Sequence, residues 1–368
     1  MGDDTALELN PAAARQRQIG GAPLLDLRAA DERAEAAPAG AVALDAAQVP
    51  SWLQAHPAAM GVLLLCTIGA RSRQLAQDLR VQGIVAWSVA GGMLGWLAAG
   101  LPVAEAALDA AAQERYARQL LLPEVGAAGQ RRLAQSSVAL VGVGGLGAPA
   151  ALYLAAAGVG RLTLLDDDCI ERSNLQRQVL YDDAAVGQPK VQAAVQRLLA
   201  LNPTLRVTAH AQRLHAGNAH ALLAGHDVLL DGSDNLATRY VLADASEALR
   251  LPLVYGAVQG FSGQLSVFDP RRSDSPCYRC LFPQAPTQAP PDCTVAGVLG
   301  VVPGLIGMLQ AAETLKLLLA LGTPLVGRLL QVDLLTLRMH ESRLPRDPAC
   351  PLCAARAAGR PAAGSPAG

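Results

Sequence analysis

The chain has 368 residues, more than one hydrophobic core usually spans, so at least two domains are expected. Hydrophobic residues make up 51% of it but Phe, Trp and Tyr only 3%, which leaves Ala, Leu and Val to build the cores. A net charge of -1 excludes a bulk electrostatic case for nucleic acid or an anionic membrane and favours a small or protein substrate.

The first residues, MGDDTALELNPAAARQRQIG, lack the basic start and apolar core of a secretion signal, and no uninterrupted apolar run is long enough to suggest a membrane span. A cytoplasmic protein is expected. Between residues 23 and 100, PLLDL, GAVAL, GVLLLC and GIVAWSV alternate with helix-like stretches such as SRQLAQDLRVQG, the pattern of a small α/β domain with a parallel sheet. Within it, GVLLLCTIGARSRQLA puts Cys66 at the end of an apolar strand and runs through Gly69, Arg71 and Ser72 into a helix. Such a loop can wrap backbone N–H groups around one sulfur, and the helix terminus with Arg71 favours the anion. A buried cysteine ending a core strand is the plain alternative. The alanine-rich LPVAEAALDAAAQ that follows reads as a helical or extended linker.

From Glu114 the pattern restarts with an arginine-bearing amphipathic segment and then VALVGVGGLG, where Gly142, Gly144 and Gly147 satisfy G-x-G-x-x-G and Asp166 lies 19 residues after the last glycine. Taken literally this is a dinucleotide fingerprint; tight strand-to-helix packing with no ligand produces the same letters. The surroundings are more specific. Asp167 and Asp168 follow directly, SNLQRQ brings Arg177 beside a strand end, GQPK puts Lys190 at a helix start, and DVLLDGSDNLATR puts Asp231 and Asp234 beyond a buried strand. With strands at 161–166, 206–210 and 227–231 the segment reads as a doubly wound domain, whose ligands bind at the carboxyl ends of the strands. One cleft can then collect Gly145, Asp166, Arg177, Lys190 and Asp234. Hydride transfer does not need Arg177, whereas acids for ribose and magnesium with cations for phosphate suit attack on the α-phosphate of ATP. Singly, each has a plain structural reading: a turn cap for Asp168, a surface pair for Arg177, a solvated helix end for Lys190.

After Pro252, LVYGAVQG and GQLSVFD are expected to extend the sheet, and AGVLGVVPGLIGMLQAAETLKLLLALG, with Pro303 and several glycines, is expected to form a kinked or interrupted buried helix. Of the seven cysteines, four form Cys277-Tyr-Arg-Cys280 and Cys350-Pro-Leu-Cys353, pairs that suit tetrahedral zinc. The 69 residues between them exceed a usual zinc ribbon, so a redox or incidental Cys-x-x-Cys stays open. Cys293, in TQAPPDCTVAGVLG, sits at a loop-helix junction where a thiol can be exposed and have its pKa lowered by the helix N-terminus; a fortuitous surface cysteine is the plain alternative. Cys169 reads as a packed core cysteine. Residues 354–368 are low-complexity and expected to be disordered.

RYARQLLLPEVGAAGQRRL, VGVGGLGAP, LLDDDCIERSNLQRQ, VGQPKV, DGSDN and AGVLGVVPGLIGMLQAAETLKLL together resemble the MoeB/ThiF/HesA adenylyltransferases, in order, over residues 114–353. The resemblance implies a Rossmann-like ThiF-type domain that uses ATP and Mg2+ to adenylate the C-terminal Gly-Gly carboxylate of a ubiquitin-fold sulfur carrier. Gly145, Asp166, Arg177, Lys190 and Asp234 match the family's ATP contacts, Arg118 an arginine contributed across a homodimer interface, Cys293 the motif cysteine, and the four paired cysteines a structural Zn2+ site that clips the C-terminal segment. Asp167 replaces the apolar residue common there and carries no assignment. C-x-x-G-x-R-S, with LLDLRAADE and VAGGMLGWLAAGLPV, resembles a rhodanese domain over residues 20–103, joined by a linker at 104–113, although AAPAGAVAL lacks the usual His-Ile-Pro. That implies a persulfide on Cys66, loaded from a donor such as a cysteine desulfurase or thiosulfate, and a carrier thiocarboxylate as product, with molybdopterin synthesis the pathway nearest the pattern. Two rivals stand beside this reading. An NAD-dependent oxidoreductase lacks a recognisable acid-base histidine, since the six lie scattered at 56, 210, 215, 220, 226 and 340. The other is a non-catalytic, zinc-stabilised docking protein.

Overall fold

Runs of Val, Leu and Ala flanked by glycine or proline become the strands, and the computed structural model describes them over residues 6–56, 61–104, 108–284 and 297–354. The chain forms two units, Met1–Ala110 and Ala111–Gly368.

In the first unit, β1 (Glu8–Leu9), β2 (Leu24–Asp26), β4 (Val42–Ala43), β5 (Val62–Leu65) and β6 (Ala86–Val89) make a parallel sheet in the order β1-β6-β5-β2-β4, and β3 (Ala37–Pro38) pairs antiparallel with β7 (Val103–Ala104). Both faces are covered, which is why β5 is an unbroken apolar VLLL with every residue buried. Leu63, Leu65 and Trp87 pack with Met93 and Trp96 on one face; Leu25, Leu64 and Ala86 pack with Ala76 and Leu79 on the other. The stretch read as a linker contains the strand Val103–Ala104 and a helix from Ala110 to Arg115.

The second unit is built on β8 (Ser137–Val141), β9 (Arg161–Leu165), β10 (Arg206–His210), β11 (Val228–Asp231), β12 (Leu253–Gln259), β13 (Ser262–Phe268), β14 (Arg328–Asp333) and β15 (Arg338–Arg343). They form one eight-stranded sheet, β10-β9-β8-β11-β12-β13-β14-β15, in which the first five strands are parallel and the last three antiparallel. The order reverses between β8 and β11, so a crevice opens at their carboxyl ends. Helices Gly147–Ala157, Lys190–Leu201 and Val301–Leu319 contribute to the core on one face; Ala216–Leu223 and Leu236–Leu249 contribute to that on the other.

The apolar segment after residue 300 is not interrupted. Val301–Leu319 is one helix, because Pro303 falls in its first turn, where the N–H groups have no intrahelical acceptor. By length and composition it could cross a membrane, but half of its apolar window is buried inside the unit. Its Gly307 lets it cross close to the helix Gly147–Ala157: a Cβ there would lie 2.3 Å from the Leu146 carbonyl oxygen.

Candidate active site

β8 ends in Val141, and the chain turns at once through Gly142, whose φ of +87° suits glycine. The turn is compressed against the neighbouring strand end. A Cβ on Gly142 would lie 2.6 Å from the Gly232 carbonyl group just beyond β11, and one on Gly147 would lie 2.0 Å from the Gly142 oxygen. Asp166, the first residue past β9, accepts hydrogen bonds from the N–H groups of Val143 at 2.8 Å and Asp168 at 3.0 Å, so one carboxylate shapes both loops. Tyr181 donates its phenol proton to the Val143 carbonyl at 2.8 Å; burial, then the nearby Asp166, pushes that phenol far above its ordinary value.

Lys190 is the first residue of its helix and is buried, not solvated, with its ammonium 2.7 Å from Asp168 and 4.0 Å from Asp166. Burial pushes the Asp166 carboxyl up, against the opposing pull of Lys190. Arg177 is half-buried and donates to the Ser173 carbonyl at 3.1 Å. Gly145 lies under Pro303 and Arg177, where a Cβ would come within 3.1 Å of the proline. Asp234 stands exposed past the end of β11. Its neighbour Asp231 is buried, accepts from the Ser233 N–H and hydroxyl, and pairs with Arg239 at 3.5 Å. Gly145, Asp166, Arg177, Lys190 and Asp234 thus line one cleft of about 1090 Å³. Its mixture of backbone N–H groups, cationic side chains and several carboxylates, at the carboxyl ends of parallel strands, suits a phosphate-bearing nucleotide. Arg118, exposed on the short helix Ala117–Leu120, does not line it.

Several lining residues carry no sequence signal. Gln178 is buried with its side-chain oxygen unpaired among the described residues, Tyr278 reaches the cleft from the first Cys-x-x-Cys, and His340 and Arg338 reach it from β15. β14 and β15 are absent from the expected elements, because RLLQVD and RMHESR show no clear apolar alternation.

The four paired cysteines come together. The sulfurs of Cys277 and Cys280 are 3.8 Å apart, Cys277 and Cys350 3.5 Å, Cys280 and Cys353 3.4 Å, and all four lie within 4.8 Å of one another. Sulfurs at about 2.3 Å from one tetrahedral ion would be separated by about 3.8 Å, so the set fits a metal site with four protein ligands. Backbone N–H groups of Cys277 and Asp347 point at the Cys280 sulfur at 3.5 and 3.4 Å, the outer-shell support that a thiolate ligand takes. Cys293 lies outside the described residues. Cys169 is exposed, not a packed core cysteine, because it falls in the loop beyond β9 and only its backbone is engaged, bridging to Pro189.

In the first unit Cys66 follows β5, and the loop closes around its buried sulfur. The N–H groups of Gly69 and Ser72 donate to it at 3.2 and 3.4 Å, and the Ser72 hydroxyl lies 3.4 Å away. Burial pushes the thiol up, but the Ser72 hydroxyl and the N–H groups of Ser72, Gly69 and Ile68 outweigh it, and the net shift is downward. Gly69 turns the loop at φ +93° into the helix Ala70–Val81, whose N-terminus adds to that stabilisation. Gly92 backs the loop so closely that a Cβ would meet the Cys66 oxygen at 2.2 Å. Thr67 at the rim donates to Glu32 at 2.6 Å.

Comparison with known proteins places this geometry. The ThiF family model matches residues 116–352. The chain is 48% identical over 247 residues to the SAMP-activating enzyme E1 of Haloferax volcanii, covering 67% of this chain and 90% of that protein. It is 49% identical over 244 residues to the sulfur carrier protein adenylyltransferase of Thermus thermophilus, covering 65% and 90%. To adenylyltransferase and sulfurtransferase MOCS3 of Arabidopsis thaliana it is 44% identical over 241 residues, covering 65% of this chain and only 52% of that protein. Among solved structures, Escherichia coli MccB crystallised with ATP matches with a TM-score of 0.57 at 22% identity over 65% of this chain and 74% of its own, a likeness of fold. Residues 116–352 carry the match, the glycine turn and the cleft alike, and the chain belongs to the ThiF family of adenylyltransferases, enzymes for which ATP is the implied nucleotide.

Proposed function

We propose that the second unit uses ATP and Mg2+ to adenylate the C-terminal Gly-Gly carboxylate of a ubiquitin-fold sulfur carrier, and that the first unit, a rhodanese-type domain, supplies sulfur as a persulfide on Cys66. The observation that carries the reading is the meeting of Gly145, Asp166, Arg177, Lys190 and Asp234 in one cleft of a ThiF-family chain. A carrier oxygen attacks the α-phosphorus, pyrophosphate leaves, and an acyl-adenylate forms. Loop N–H groups and Lys190 hold phosphate oxygens, Arg177 meets the charge that develops on them, and Asp166 orients the ribose. Asp234 would hold Mg2+, which neutralises the phosphates and draws charge toward the leaving group. The terminal sulfur of the Cys66 persulfide then attacks the acyl carbon and AMP leaves; a small-molecule thiol next attacks the Cys66 sulfur of the resulting acyl disulfide, so that the thiocarboxylate departs and the thiol stays as a mixed disulfide on Cys66, which a second thiol reduces. Cys293 is the alternative route for the sulfur. A cysteine desulfurase or thiosulfate loads Cys66, in the cytoplasm, with molybdopterin as the pathway that the sulfurtransferase names among the relatives suggest.

Cys277, Cys280, Cys350 and Cys353 would hold one Zn2+ with no open coordination position, a structural role that elemental analysis of chelator-free protein checks. Arg118, away from its own cleft, supports a homodimer in which it serves the partner's site.

Carrier-dependent exchange of labelled pyrophosphate into ATP tests the core of this reading. Arg177→Ala should lose about 2 to 4 kcal/mol of transition-state stabilisation in kcat/KM. Cys66→Ala should keep exchange at the wild-type rate while thiocarboxylate formation stops. Unchanged exchange in Arg177→Ala would remove its role, and thiocarboxylate formation by Cys66→Ala at full rate would reduce the first unit to a docking module.

A further inference from the structure

The cleft has two chemically different halves. Over the parallel strands it carries the glycine loop and the charged side chains described above; the other half is lined by the neutral Tyr255, Gln264, Tyr278 and Gln331, with Asp333, Arg338 and His340 at its β14–β15 end. Tyr278 lies between Cys277 and Cys280, buried to 1% exposure, in the short helix Tyr278–Leu281. Its ring is boxed by Phe282, Tyr240 and Tyr255 at centroid distances of 5.1, 5.2 and 5.5 Å. The cysteine cluster fixes its backbone on both sides.

Nevertheless its hydroxyl, buried and on the cleft wall, has no hydrogen-bond partner among the described residues. The neighbouring Tyr255 hydroxyl, by contrast, has a partner, accepting from the Gln264 amide at 2.7 Å. Arg239, on the same wall, is already engaged, its Nε facing the Asp231 carboxylate at 3.5 Å. A buried donor left unpaired costs free energy, and one on a cleft wall marks the place of an acceptor oxygen. Lys190 and Arg177 beside the glycine loop serve the phosphates, Arg239 is taken up by Asp231, and a neutral phenol in an aromatic box suits an amide carbonyl better than a phosphate. A Gly-Gly tail offers no side chain to read, so it must be read through its peptide groups.

We propose that Tyr278 is a specificity-determining residue for the acyl substrate, its phenol donating a hydrogen bond to a peptide carbonyl oxygen in the extended C-terminal tail of the carrier. This rests on the reading that a Gly-Gly carrier is the second substrate. The first Cys-x-x-Cys would then do two things, with its cysteines closing the metal site and the residue between them reading the substrate.

Tyr278→Phe in the full chain tests it, because the change removes only a hydroxyl that has no internal partner. Pyrophosphate exchange is measured against concentration of ubiquitin-fold carriers ending in Gly-Gly, and separately against ATP. The expected result is a roughly five- to twenty-fold rise in KM for the carrier, with KM for ATP, zinc content and melting temperature unchanged. An unchanged carrier KM overturns the proposal. So does a rise shared equally by carrier and ATP, or a loss of zinc or melting temperature, since each would make Tyr278 a fold support. If the wild-type enzyme shows no exchange with any such carrier, the substrate reading itself falls, and the proposal with it.

Discussion

The Cys66 sulfur is nearly inaccessible, yet its surroundings favour the anion, since donors converge on it from the Gly69 and Ser72 backbone and the Ser72 hydroxyl. Because the net shift is downward, the thiolate fraction should rise at lower pH than for a free cysteine, near pH 8.5. Mass-spectrometric alkylation of Cys66 with iodoacetamide should therefore reach half its limiting rate at a lower pH than that of a cysteine in an unfolded peptide measured alongside, although burial keeps the absolute rate slow. A midpoint at or above the free-thiol value would refute the activated loop. At this scale much of the site was legible: Asp166, Arg177 and Lys190 are charged residues at strand ends and helix starts, where a core has no use for them. Tyr278 and Gln178 were not, because a tyrosine beside a cysteine pair or a glutamine in a polar loop has the same letters whether or not its polar atom finds a partner.

The glycines do different work in different elements. Gly142, Gly147 and Gly232 let two strand ends and a helix start converge at the switch in strand order, whereas Gly307 sets the distance between two helices. A methyl group at 307 would meet the Leu146 oxygen at 2.3 Å and Pro149 Cγ at 2.7 Å. Gly307→Ala should therefore destabilise the second unit by about 1 to 3 kcal/mol in urea unfolding, although alanine favours helix. A neutral or stabilised variant would mean that the helices part without cost. The parallel strands were readable as runs such as VLLL and RLTLL. β14 and β15 were not, because their pairing is decided by the sheet they join and not by their own pattern. The expected break in Val301–Leu319 failed for a positional reason: proline in a first turn removes a donor that the helix does not use.

For the whole molecule, every residue lining the cleft belongs to Ala111–Gly368, yet Arg118 of that unit does not reach its own cleft. If Arg118 serves a partner's site, mixing Arg118→Ala chains with Asp234→Ala chains should restore pyrophosphate exchange that neither has alone, to about a quarter of wild type when subunits exchange at random. Full activity in a strictly monomeric species by sedimentation would contradict the shared site. The two-unit organisation was legible because the strand-helix rhythm stops at the alanine-rich stretch and restarts. The join of the two Cys-x-x-Cys pairs in space was less so, since the 69 residues between Cys280 and Cys350 conceal it.

The pairing in the sheet of the second unit changes once, from parallel to antiparallel, after β12, and the cleft lies across that change. Its parallel half carries the glycine loop on β8; its antiparallel half consists of hairpins that share no strand with that loop. If the acyl substrate lies along that half, as proposed, sequence drift in the hairpins can re-aim the enzyme at a new partner while the phosphate-handling loop is inherited intact. On one continuous sheet, partner choice and bond-making chemistry are free to evolve at different rates.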